Sequence, residues 1–104
     1  MLYFKIAWSY WRRKEYDGAL WAVREYLLSA GFEEVNLNAE PVVLRFGKNH
    51  LPYLNVAIVQ FAAAVKTKRG ETEAADKLTK FAKTLYLTLN GAMSGYTDFT
   101  RVNS

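Results

Sequence analysis

The sequence of 104 residues contains no cysteine and a single histidine. Without cysteine the chain forms no disulfide framework and no thiolate metal site, and it has no cysteine nucleophile. The one histidine, His50, excludes metal motifs that need two imidazoles. No nearby acid or nucleophile accompanies His50, and the side chains of the adjacent Glu33 and Glu34 point apart in any regular element. The residues therefore predict that the protein is not an enzyme and needs no cofactor or metal.

Long hydrophobic runs are also absent from the sequence. The most apolar stretch, residues 54–65, is interrupted by Asn55 and Gln60 and falls short of the ~20 residues that span a bilayer. The first five residues lack the order of basic and then apolar residues that is typical of a signal peptide. We therefore expect a soluble, cytoplasmic protein without a membrane partner.

What the chain does have is the composition of one folded domain, which we place at residues 1–104. Hydrophobic residues make up 51% of the chain, charged residues make up 23%, and the formal net charge is +4. The basic residues concentrate in two clusters, Arg12-Arg13-Lys14 and Lys66-Thr67-Lys68-Arg69. Such clusters either close a helix, where cations suit the C-terminal dipole, or face phosphates.

Hydrophobic periodicity predicts helices over residues 17–30, 53–68 and 71–90. The short Lys68-Arg69-Gly70 turn predicts that the last two form an antiparallel hairpin. Residues 2–13 fit a helix with two apolar faces, but they also fit a strand in their first part. Glycine, proline and asparagine punctuate residues 32–51, which form either an irregular spacer, two short strands or a short helix over 39–46. Residues 92–104 are typical of a loop or a frayed tail.

The fold class expected from these patterns is mainly α. Two antiparallel helical hairpins, over residues 2–30 and 53–90, are joined by an irregular or short β-hairpin spacer. The alternative is an α+β fold in which residues 2–8 and 34–46 are strands.

The first thirty residues resemble a tetratricopeptide repeat. Tyr3, Ile6, Ala7 and Tyr10 match the residues of that family's first helix, the turn Glu15-Tyr16-Asp17 matches its acidic-aromatic-acidic turn, and Ala19 and Val23 match its second helix. Tyr26 and Gly31 depart from the family pattern, and the spacer is longer than the family's turn. The second hairpin matches the family more weakly. Six of its residues occupy the equivalent packing positions: Ile58, Phe61, Ala62, Val65, Ala74 and Leu78.

The resemblance implies a groove for a protein or peptide, lined by the first helix of each hairpin. The residues in those places are Phe4, Trp8, Trp11 and Arg12 from the first hairpin and Val56, Val59, Ala63 and Lys66 from the second. The second set is also the apolar face that periodicity leaves over after the core of that helix is filled. We therefore expect a small protein–protein interaction module with an aromatic and apolar surface and a basic edge.

Three other hypotheses remain open at this point. The basic clusters interleave with aromatic residues, which suits a nucleic-acid-binding module that uses Arg12, Arg13, Lys14, Lys66, Lys68 and Arg69. The small size also allows an inhibitor of the phage or mobile-element type that occludes a larger machine. A homodimer would bury the same aromatic surface.

Overall fold

The computed structural model describes residues 2–46 and 53–89 of the chain. In chain order these residues form α1 (Leu2–Arg12), α2 (Tyr16–Ser29), β1 (Phe32–Asn36), β2 (Val43–Phe46), α3 (Tyr53–Lys68) and α4 (Thr72–Leu89). Helices α1 and α2 pack as one hairpin, and α3 and α4 as a second. The expected mainly helical fold with a short β-hairpin between two helical hairpins is confirmed.

The N-terminal segment is a helix because its apolar residues pack against two other helices at once, α2 and α3. Tyr3 contacts Trp21 on α2, with ring centroids 6.1 Å apart, while Phe4 and Trp8 face Phe61 on α3. Ala7 lies between these two sides and is fully buried. A strand over residues 2–8 would send alternate side chains to opposite faces, so the α+β alternative is wrong for this segment.

The spacer forms a two-stranded antiparallel sheet, in which Val35 pairs with Leu44 and Asn36 with Val43. Val35, Leu44 and the flanking Leu37 and Val42 are buried, and β1 packs against α2. These buried residues lie on one side of the hairpin. Because residues 43–46 form strand β2, the short helix considered for 39–46 is wrong. The loop between the strands lies beside the turn that joins α3 to α4.

Both helical hairpins turn with the same backbone hydrogen bonds. The Glu15 N–H donates to the Tyr10 carbonyl at 2.9 Å, and the Glu71 N–H donates to the Lys66 carbonyl, also at 2.9 Å. In each turn a second bond spans three residues, from Lys14 to Trp11 and from Gly70 to Thr67. This is the Schellman arrangement, which requires a left-handed residue after the helix. Lys14 supplies it in the first turn with φ 59°, and Gly70 in the second with φ 78°.

The shared turn fixes which residues of the two hairpins are equivalent. Tyr10 corresponds to Lys66, Ala7 to Ala63 and Ala19 to Ala75, a constant offset of 56 residues. The repeat resemblance instead aligns the two hairpins with an offset of 55 residues, which puts Val65 in the place of Tyr10. A one-residue error turns a helix by about 100°, so this difference decides which side of α3 faces outward.

Helix α3 is the central helix of the fold. It packs against both α2 and α4, and it also contacts the aromatic side chains of α1. Nine of its residues are buried, namely Asn55, Val56, Ile58, Val59, Phe61, Ala62, Ala63, Val65 and Lys66. Its exposed residues form one narrow strip along the helix: Ala57, Gln60, Ala64, Thr67 and Lys68.

Candidate functional site

An aromatic cluster joins α1 to α3 around the ring of Phe61. The Phe61 ring centroid lies 6.0 Å from that of Phe4, 5.2 Å from that of Trp8 and 5.5 Å from that of Trp11. Trp8 and Trp11 also contact each other edge to face at 6.3 Å, and Trp11 contacts Tyr16. Distances of this size are those of favourable aromatic pairs. The cluster therefore holds its members in fixed positions before any partner arrives.

Trp8 is the member of the cluster that remains most open to solvent. It is 42% exposed, whereas Phe4 and Trp11 are half-buried and Phe61 is buried. Trp8 lies on α1 beside Lys5, Ser9 and Arg12, and these four residues line an open depression of about 410 Å³. We call Phe4, Lys5, Trp8, Ser9, Trp11 and Arg12 together the α1 surface.

The charge of the α1 surface has one sign. Helix α1 contains no acidic residue. Lys5 and Arg12 are both exposed, and neither has an ion-pair partner in residues 2–46 or 53–89. The structure thus brings together four of the residues expected to bind a partner, namely Phe4, Trp8, Trp11 and Arg12, and adds a second unpaired cation, Lys5, beside them.

The other half of the expected binding surface is not exposed. Val56, Val59 and Ala63 are buried, and so is Lys66, whose side chain is 2% exposed. The expectation that these residues line an open groove is wrong, because α3 packs between α2 and α4 and uses its second apolar face as core. By the offset of 56 residues, the places of Phe4, Trp8 and Arg12 are taken on α3 by the exposed Gln60, Ala64 and Lys68.

The two basic clusters lie at the same end of the molecule. Arg69, in the turn that joins α3 to α4, pairs with Asp17 on α2, with 2.7 Å between Nη1 and Oδ1. Lys14 and Arg69 line one cleft. As expected for cations that suit the helix dipole, Arg12 lies in the last turn of α1, and Lys66 and Lys68 lie in the last turn of α3.

Carboxylates neutralise half of the six cations in these clusters. Arg13 pairs with Glu15, Arg69 pairs with both Asp17 and Glu71, and Lys66 pairs with Glu71. Arg12, Lys14 and Lys68 are exposed and have no ion-pair partner within the described ranges. The full basic set therefore does not form one open surface, but three of its members remain available to an anion.

The Lys66–Glu71 pair is the most buried charge contact of the described residues. Lys66 Nζ donates to Glu71 Oε1 at 2.9 Å, and Arg69 Nε donates to Oε2 of the same carboxylate at 2.7 Å. The hydrogen bond from Lys66 is the main cause that holds the pKa of Glu71 below its ordinary value of 4.5. Lys66 and the loop residues Asn38, Ala39 and Glu40 line one cleft, but the charge of Lys66 is already paired with Glu71.

Sequence reasoning missed Phe61 and Lys5 as parts of the site. Phe61 was assigned to the core, where it is, but no periodicity within α3 reveals that three aromatic rings of α1 meet it. Lys5 differs, because it precedes Trp8 by three residues and Arg12 by seven. That spacing places all three on one side of a helix, and it was readable once residues 2–13 were taken as helical.

His50 and the tail at 92–104 lie outside the described residues. Within residues 2–46 and 53–89, no group of histidine, aspartate or glutamate side chains is arranged to hold a metal ion. The helices of these ranges include none that is both long and apolar enough to cross a membrane.

Comparison of the chain with models of protein families, with curated proteins and with solved structures finds no match. The tetratricopeptide resemblance of the first hairpin therefore stays a prediction.

Proposed function

We propose that this chain is a small non-enzymatic binding protein that captures a protein partner on the α1 surface. The observation that carries the proposal is the position of Trp8, a large aromatic side chain 42% exposed at the open edge of an otherwise closed cluster. Tryptophan and arginine are the side chains most enriched at binding hot spots, and Trp8 lies beside Arg12.

The packing of Trp8 favours binding for a further reason. Its ring is held against Phe61 at 5.2 Å and Trp11 at 6.3 Å, so little conformational freedom is left to lose when a partner covers it. Lys5 and Arg12, on either side, are unpaired and can reach acidic groups of a partner. Gln60 and Ala64, which flank Phe61 along α3, are exposed as well.

The experiment compares partner capture by four forms of the full chain. Immobilised wild type, Trp8→Ala, Arg12→Glu and Trp21→Ala are incubated with nuclease-treated extract of the source cells, and bound proteins are identified by mass spectrometry. Trp21 is the matched control, since it is 49% exposed but lies on α2 against Tyr3. We expect a protein that Trp8→Ala and Arg12→Glu lose and Trp21→Ala retains, and that binds the purified wild type directly.

Arg12→Glu keeps the test decisive if Trp8→Ala loses stability. Arg12 is exposed and makes no ion pair within the described residues, so its replacement should cost no more than about 1 kcal/mol, through the charge at the C-terminal end of α1. Circular dichroism and thermal unfolding verify the fold of each variant. Capture that is unchanged by Arg12→Glu and by a folded Trp8→Ala protein would overturn the proposal.

A second function, nucleic-acid binding, is favoured by the meeting of the two basic clusters at one end of the molecule. Arg12, Lys14 and Lys68 are exposed there and unpaired, whereas Lys66 is buried and Arg13 and Arg69 are neutralised. Three available cations predict a salt dependence near −2 for the slope of log K against log salt with a single strand. Six available cations would give a slope of about −4.

Fluorescence anisotropy of a labelled mixed-sequence oligonucleotide, measured at several salt concentrations, tests this second function. A slope near −2 that falls to about −0.7 in Lys14→Ala/Lys68→Ala, where Arg12 alone remains, would support it. Absence of binding at low salt would exclude it. The hypotheses of an occluding inhibitor and of a homodimer stay predictions, because none of the described contacts favours either over a different partner.

A further inference from the structure

We infer that the α1 surface takes an acidic amphipathic helix, with two carboxylates seven residues apart and an apolar side chain between them. This inference rests on the proposed function and specifies the chemistry of the partner. The spacing, shape and charge of Lys5, Trp8, Ser9 and Arg12 support it.

The spacing of these residues defines a strip two helical turns long. Lys5, Trp8, Ser9 and Arg12 stand at positions i, i+3, i+4 and i+7 of α1, which places them on one side of the helix. At a rise of 1.5 Å per residue, the backbone positions of Lys5 and Arg12 are about 10 Å apart along the axis. A helix lying along α1 repeats at the same interval, so its residues i and i+7 come opposite the two cations.

The centre of the strip is shaped for a side chain of another helix. Ser9 is small and Trp8 is large, and together with Lys5 and Arg12 they line the depression of about 410 Å³. Helices approach to 8–10 Å when side chains of one fit between those of the other. An apolar side chain over Ser9 would pack against the exposed part of Trp8, whose far side is already supported by Phe61.

The charge of the strip selects an acidic partner. Lys5 and Arg12 are unpaired among the described residues, and α1 offers no acid that could receive a basic partner. The nearby Arg13 is occupied, since it pairs with Glu15, donates to Ser9 Oγ at 3.2 Å and lies over the Tyr10 ring. The two free cations therefore bracket Trp8, while Arg13, whose charge is already paired with Glu15, borders the strip at Ser9.

The strip also favours a helix over a peptide that binds as an added β-strand. Such a peptide gains affinity mainly by adding backbone hydrogen bonds to the edge of a sheet. The middle of α1 has no such edge, because its backbone donors and acceptors are used within the helix. A helical partner satisfies its own backbone and needs only side-chain contacts from the strip.

The experiment uses two designed helical peptides and the full chain. The matched peptide carries leucine at one position, glutamate three or four residues before it, and a second glutamate seven residues after the first. The control peptide has the same composition with the glutamates on the opposite side of the helix. Calorimetric titration is expected to give about tenfold tighter binding for the matched peptide, the gain from two partly exposed ion pairs.

A charge exchange makes the test specific to this strip. Lys5→Glu/Arg12→Glu should lose the matched peptide and gain a peptide with lysines in place of its glutamates. Lys80→Glu/Lys83→Glu changes the charge equally on exposed positions of α4 and serves as the control variant. Its affinity for the matched peptide should remain within about twofold of wild type.

Each other outcome counts against the inference. Equal binding of both peptides, or failure of the charge exchange, would overturn it. If the matched peptide does not bind but a cellular partner is still lost with Trp8→Ala and Arg12→Glu, the inference fails and the proposed function stands. If both experiments are negative, both fail. Self-association of the chain that Lys5→Glu/Arg12→Glu abolishes would identify a second copy as the occupant and overturn the acidic helix.

Discussion

The two helical hairpins share one turn geometry but bury their first helices to very different extents. In both turns a left-handed residue and the residue after it donate the same two backbone hydrogen bonds. In both turns an arginine also pairs with the glutamate two residues later. Yet α1 has one buried residue, Ala7, whereas α3 is buried on most of its circumference. The comparison shows that a local turn fixes how two helices meet, while the neighbours decide how much of each helix remains on the surface.

The difference has chemical consequences at equivalent positions. Tyr10, at the edge of α1, lies with its ring against Gly18 of α2. Its counterpart Lys66 lies in the interior and needs Glu71 to neutralise it. On the first helix of the chain Trp8 stays 42% exposed, while Phe61 of α3 packs against its ring.

The largest expected effect comes from the two equivalent glutamates. Glu71→Ala leaves Lys66 buried without a counter-charge and should lower the free energy of unfolding by about 2–3 kcal/mol. Glu15→Ala breaks a pair whose members are both more than half exposed and should cost less than about 1 kcal/mol. Urea unfolding measures both values. Equal losses would mean that Lys66 is not buried as described, and Lys66→Met should remove most of the penalty of Glu71→Ala.

The next effect concerns the contact between Tyr10 and Gly18. A Cβ added to Gly18 would lie 2.5 Å from the Tyr10 ring, so Gly18→Ala should destabilise by about 2 kcal/mol although alanine is the better helix former. The corresponding residue of the second hairpin is Ala74, and Ala74→Gly should cost about 1 kcal/mol through helix propensity. A double-mutant cycle with Tyr10→Leu checks the cause. Additive losses would exclude the steric explanation.

A smaller effect is expected from the buried amide of α3. Asn55 is fully buried, and neither polar atom of its side chain has a hydrogen-bond partner within residues 2–46 and 53–89. Asn55→Leu should therefore stabilise the chain by about 1–2 kcal/mol, because it removes a buried polar group and adds apolar atoms to the core. Gln60→Leu, on the exposed strip of the same helix, should change stability by less than about 0.5 kcal/mol. Thermal and urea unfolding distinguish the two, and a loss of stability in Asn55→Leu would contradict the prediction.

Exchanging the left-handed residues of the turns should give opposite changes of about 1 kcal/mol each. Lys14→Gly relieves a side chain held at φ 59° and should stabilise the first turn. Gly70→Lys introduces the same strain at φ 78° and should destabilise the second, although no atom lies within 4 Å of the added Cβ. Changes of the same sign in both variants would show that side-chain contacts, not backbone strain, distinguish the turns.

The pH dependence of stability should arise in part from the second turn. The pKa of Glu71 lies below its ordinary value of 4.5 when folded, mainly through the hydrogen bond from Lys66. The unfolded chain therefore takes up the proton first as the pH falls, and the contribution of this pair to stability, present above 4.5, is lost through the lowered pKa. A protonated Glu71 still accepts hydrogen bonds, so the loss should be smaller than that of Glu71→Ala. Urea unfolding at several pH values should show a weaker acid dependence in Lys66→Met than in wild type.

Much of the fold could be read from the sequence. The 3.6-residue spacing of apolar side chains over 17–30, 53–68 and 71–90 predicted three helices, and the short turn after Lys68 predicted the second hairpin. The spacer was left open between strands and a helix, because breakers such as Pro41 end an element without saying what precedes it. The same was true of residues 2–8, where apolar residues facing two neighbours hide both the helical and the strand period.

Only half of the candidate site was predicted correctly from the sequence. The sequence by itself determined that Phe4, Trp8 and Trp11 share a side if residues 2–13 form a helix, since helical spacing depends only on positions along the chain, and the structure supplied that helix. Tertiary structure alone decided that Phe61 would support them, that Val56 and Val59 would be buried, and that Lys66 would find Glu71 below the β1–β2 loop. The physical reason is that periodicity fixes the direction of a side chain around its own axis, whereas burial and charge pairing depend on which other segments pack against that side.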